Sequence, residues 1–212
     1  MTLLVTVSPP EALKIPAPRS FVVFTIFALM RRSIPSDPLE PGAWLASDTT
    51  PIVLALNLVP FAGVAFLWFV GVLRDRLGQQ EDRLLATVFS GSALLFLVML
   101  FAASAVLGAL MLLASMAEPN ELKNSVIFRY ARAVAYIVNN VYATKMAAVF
   151  MFSTSTVVIY TGIAPRWIAV IGYLLALVLL IASHYIAWSF IILPAWVFLF
   201  SAYILMDNLR GR

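Results

Sequence analysis

Of the 212 residues, 63% are hydrophobic and 11% are charged, with a mean hydropathy of +0.98; no soluble domain of this length solvates such a surface, and the natural solvent is a bilayer. The net charge is only +4 and the basic residues are scattered, which excludes nucleic acid as a partner, because that requires a concentrated basic footprint. With no cysteine and one histidine, the chain lacks thiolate ligands and the histidine sets that zinc or a bis-histidine haem needs, so no metal and no cofactor is expected.

The first fifty residues form a proline-rich segment, "SPPEALKIPAPRS" and "SIPSDPLEPG", around the apolar run "FVVFTIFALM" at residues 20–30. From Arg19 to Arg31 a helix rises only about 18 Å against a hydrocarbon core of about 30 Å. That short helix is expected to lie in the interface or to form a marginal sixth span. "RRSIP" follows it rather than a small-residue cleavage site, which argues against a cleaved signal peptide.

Residues 51–212 read as a transmembrane helical bundle with five firm spans. Residues 51–73 hold "PIVLALNLVPFAGVAFLWFVGVL", closed by the charged loop "RDRLGQQEDR". Residues 84–116 form a second span longer than the membrane, which must tilt or project. The third is placed at 140–161, stopped by Gly162, Pro165 and Arg166. Ahead of it, "PNELKNSVIFRYARAVAYI" reads as an amphipathic lead-in with Asn120 as N-cap, suited to anionic headgroups or an acidic partner surface. The last two spans, 167–184 and 187–206, make a hairpin around "SHYIAWS", with His184 as a polar group at the turn and Tyr185 and Trp188 at the interface. The expected fold is all-α, a polytopic membrane bundle in the cell membrane.

"LNLVPFAGVAFLWFVGVLRDRLG" together with "EDRLLATVFSGSALLF" resembles uncharacterised bacterial inner-membrane proteins of comparable length, over roughly Arg31 to Met116. The resemblance implies a bacterial inner-membrane location and brings no activity or site residues with it. The count of basic residues, with Lys14 and Arg19 added by a short N-terminal span, tilts toward a cytoplasmic C-terminus.

All ten acidic residues fall in expected loops or tails, which removes the intramembrane carboxylate that proton-coupled carriers and di-metal enzymes use. Ser90 and Ser92 flank Gly91, and Ser104 precedes Gly108 by four; both sets read as small residues for close helix packing rather than nucleophiles. Asn57 stands near Pro60, whose missing N–H frees a carbonyl four residues back, so Asn57 can serve a neighbouring helix or a polar ligand. On the third span, Tyr142, Lys145, Ser153, Thr156 and Tyr160 fall within about a quarter turn, with Asn139 at the edge. That stripe should face protein or water, either as interhelical hydrogen bonds or as a ligand lining. Counted back from Thr161, Lys145 lies about 6 Å below the far boundary of the core, within reach of a snorkelling stem, and reads as an anchor rather than a midplane charge costing about 2.5 to 3.5 kcal/mol.

Spans without carboxylates, metal sets or nucleophile–base pairs point to a non-enzymatic accessory or scaffolding subunit packing against membrane lipid and another membrane protein, or against itself as a homo-oligomer. The alternative is a small carrier or channel with a polar pathway along the third span.

Overall fold

The computed structural model describes residues 49–77, 83–116, 125–182 and 189–210. The short helix expected at 20–30, the loop around Gln79, Asn120 and the turn containing His184 lie outside them. Among the described residues every element is helical: α1 (Thr50–Leu77), α2 (Arg83–Met116), α3 (Val126–Ile137), a π-helical turn (Val138–Ala143), α4 (Thr144–Thr161), α5 (Arg166–Ala182) and α6 (Ser189–Arg210).

Three rods are long and apolar enough to cross a membrane: Thr50–Asp75, Leu84–Met116 and Val126–Thr161. The apolar parts of α5 and α6, Arg166–Ile181 and Ile191–Ile204, are shorter. α1 and α2 match the first two expected spans to within a few residues. The third differs, because it was placed at 140–161 and the helix begins at Val126. Its N-cap is Ser125: the Ser125 backbone is extended, and its Oγ accepts the Phe128 N–H at 3.0 Å, satisfying a donor that the first turn leaves open. The amphipathic lead-in and the span are therefore one rod. The stop signal acts as expected, since Gly162 caps α4 with φ 65° and donates to the Val158 carbonyl at 3.0 Å; a side chain is disfavoured in that left-handed conformation.

The α3–α4 rod is the hub of the bundle. It is the least apolar of the three, yet 61% of its apolar window is buried, against 28% for α1 and 22% for α2. In lipid this inversion is physically sound, because polar side chains are sheltered by protein and leucine-rich faces meet acyl chains. Ile52 packs with Leu110, Met111 and Phe128, whereas Leu73 packs with Phe89 and Phe150. α1 and the α3–α4 rod thus both run antiparallel to α2. Phe150 is fully buried, with ring contacts to Phe66 at 5.1 Å and Phe89 at 5.2 Å. α5 lies along α4, and α6 closes the cluster with Trp196 and Phe200 stacked at 5.7 Å.

The π turn has a packing reason. In an unbroken α-helix the residue seven after Ala135 would return to the side facing α2. Tyr142 holds that place, but it is 54% exposed, and the next residue, Ala143, is buried. One extra residue in the wide turn sets a small alanine against α2 and swings the tyrosine outward. The Thr144 N–H and its hydroxyl both reach the Asn139 carbonyl five residues back, the hydroxyl at 3.0 Å. Deleting Asn140 should convert the turn to ordinary helix while keeping Ala143 below Ala135, shifting the midpoint of thermal unfolding in detergent by no more than about 4 °C. Deleting Val149 instead should abolish cooperative unfolding, because the buried face of α4 then turns about 100° away from α2.

Candidate functional site

The polar residues of α4 divide into two sets on different sides of the helix. Ser153, Thr154 and Ser155 are buried, and each turns its hydroxyl back onto its own helix. Ser153 Oγ donates at 3.0 Å to the shared carbonyls of Val149 and Phe150, Thr154 Oγ1 to Phe150 O at 2.7 Å, and Ser155 Oγ to Met151 O at 2.8 Å. This back-bonding lets hydroxyls lie in an apolar interior without an unpaired donor. The second set, Tyr142, Lys145 and Tyr160, lies exposed on the perimeter, with Thr156 half-buried between them.

The expected stripe is therefore only partly continuous in space: Ser153 belongs to the interior, while the other members run along the outer face. Thr156 links them to α5. Its Oγ1 lies 2.8 Å from the Tyr173 hydroxyl, and Phe152 meets the Tyr173 ring edge-on at 4.7 Å. Thr156 Oγ1 also reaches its own Phe152 carbonyl at 3.0 Å. Replacing Tyr173 by Phe or Thr156 by Val should each cost about 0.6 kcal/mol, up to about 1.7, as interhelical hydrogen bonds in membranes do. A double-mutant cycle read by unfolding in mixed micelles should show that the two losses do not add.

Asn139 and Asn140 sit half-buried in the π turn. Asn57 is apart from all of these: it is exposed on α1, and its Nδ2 donates to the Val53 carbonyl at 2.9 Å, so its amide serves its own helix ahead of Pro60. Ser92 likewise donates to Phe89 O and Ser104 to Leu100 O. Gly91 and Gly108 have open space where a Cβ would stand, so close helix approach occurs elsewhere: at Gly63 against the Phe101 ring, and at Gly172 against Ser155 and Trp196.

Among the described residues no three His, Asp or Glu side chains come together in a metal-binding arrangement. No protein-family model matches the chain, and no curated protein or solved structure is similar to it.

Two features escaped the sequence reading. Arg132 is only 4% exposed, although its place in an amphipathic stretch suggested a headgroup contact. It follows Phe128 and precedes Ala135 on the buried side of α3, which packs against α2; the spacing of four and three was the available signal. The second is Trp196, whose indole N–H is buried without an acceptor among the described residues, as is the Ser90 hydroxyl. Its neighbours Ser155 and Gly172 come from different helices, and no pattern along one helix could have assembled them.

Proposed function

We propose that the protein is a non-enzymatic, multi-pass subunit of a bacterial inner membrane that works by packing against another membrane protein. In this reading α5 and α6 complete the five spans and the C-terminus is cytoplasmic. The observation that carries it is the division of polar groups on α4. The buried hydroxyls of α4 are spent on their own backbone, so among the described residues they line no path through the interior, while Tyr142, Lys145 and Tyr160 face outward. A carrier needs the opposite arrangement, with polar groups converging on a central passage.

Purification of the full chain in mild detergent, with the stoichiometry of the particle measured by native mass spectrometry, tests the proposal. A second membrane protein at fixed ratio is the expected result. A homo-oligomer enclosing water along α4 supports the carrier reading instead.

A further inference from the structure

Between Arg132 and Arg166 the chain carries one charged residue, Lys145. It is exposed on the perimeter of α4, with no hydrogen bond or ion pair to any described residue. The π turn sets its direction. Counting one residue as absorbed by the wide turn, Lys145 lies about 180° around the rod from Ala135, pointing directly away from α2.

Its depth also differs from the expectation of an anchor. That reading needs a membrane boundary near residue 141, but the rod continues to Val126. The α3 end is packed with the ends of α1 and α2, where Val53, Leu54, Leu112 and Leu113 are exposed. A boundary near residue 141 strands those apolar side chains well outside the hydrocarbon. Lys145 stands sixteen residues from Arg129 and sixteen from Thr161, about 24 Å each way by helical rise. The stretch from Arg129 to Thr161, about 48 Å long, exceeds a core of about 30 Å and tilts or projects at both ends; a core centred on it puts Lys145 near its middle, beyond the reach of a lysine stem to either headgroup layer.

Resting on the subunit reading above, we infer that the outer face of α4 around Lys145 docks a transmembrane helix of a different protein, one that carries a carboxylate at the depth of Lys145. The charge requires a counter-charge in lipid, and none of the described residues pairs with it: no acidic residue lies between residues 122 and 206. A second copy does not serve, because a two-fold axis along the membrane normal sets Lys145 against Lys145. Tyr142, one turn before Lys145, gives the docked helix an exposed aromatic surface beside the ion pair.

The test uses the full chain in zwitterionic phosphatidylcholine vesicles and a synthetic leucine-rich transmembrane peptide with a single central Glu, or Gln at the same place. Association is read by fluorescence energy transfer. The Glu peptide should bind at least tenfold more tightly than the Gln peptide, and Lys145→Met should erase the preference while Lys145→Arg retains it. Equal binding of the two peptides, or a preference that survives Lys145→Met, overturns the inference. So does selective, Lys145-dependent enrichment of phosphatidylglycerol around the protein in a parallel set of mixed phosphatidylcholine and phosphatidylglycerol vesicles, without discrimination between peptides, which assigns the lysine to a lipid headgroup. If a stoichiometric natural partner stays bound to Lys145→Met while the peptides are not distinguished, the subunit reading stands and this docking face falls.

Discussion

Replacing Trp196 by alanine should destabilise the protein by about 3 kcal/mol, from roughly 140 Å³ of lost side chain at about 24 cal/mol per Å³ of cavity. The side chain is 1% exposed, stacks on Phe200 and reaches Gly172 on α5. In a bilayer the loss is one of packing, because lipid tails are as apolar as the protein interior and little is gained by moving an apolar group between them. Trp196→Phe should behave differently. It leaves a smaller void and also removes a buried N–H that has no acceptor among the described residues, a donor whose burial costs about 1 to 3 kcal/mol. The phenylalanine variant should therefore unfold within about 1 kcal/mol of the wild type. Reversible unfolding in mixed micelles measures both. If Trp196→Phe is as damaging as Trp196→Ala, the indole N–H has an acceptor after all.

Gly172→Leu should be the more severe change, separating α4 from α5 and costing about 3 kcal/mol or more, at or above the upper end for overpacked cores. A Cβ at Gly172 overlaps the Ser155 hydroxyl and comes within 3.0 and 3.1 Å of two atoms of the Trp196 ring. Ser155 cannot yield freely, since its hydroxyl is tied to the Met151 carbonyl at 2.8 Å. The smaller Gly172→Ala is expected to lose less and to be partly rescued by Ser155→Ala, which removes the first atom it strikes. Positive coupling of about 0.5 to 3 kcal/mol in that cycle is the expected reading. Additive losses would falsify the contact as the cause. Gly91→Ala and Gly108→Ala should be nearly silent, because each faces open space.

The helical bundle and its long apolar rods could be read from the sequence because the bilayer imposes a single ruler. A run of about 20 apolar residues has few alternatives to a helix when no water is present to satisfy its backbone. That ruler found α1 and α2, and Gly162 marked the end of α4 because only a glycine adopts its positive φ at no steric cost. It set the third span at 140–161, whereas the helix itself begins at Val126, because "VIFRYARAVAYI" is amphipathic and a composition window stops where charge begins. The helix runs on through Arg129 and Arg132, since α2 covers one side of it.

The sequence by itself determined the helical class, the apolar runs long enough to cross a membrane and the inventory of polar groups available on the third rod. Tertiary structure decided which of them face inward. A π turn of six residues rotates everything after it relative to everything before, and its cause is a packing contact, Ala143 against a neighbouring helix, that no local propensity encodes. For the same reason Ser153 lies inside while Lys145 lies outside, and Arg132 is buried while Arg129 is not. A side chain's chemistry is written in the chain, but the side of the helix on which it lies depends on what the other helices cover.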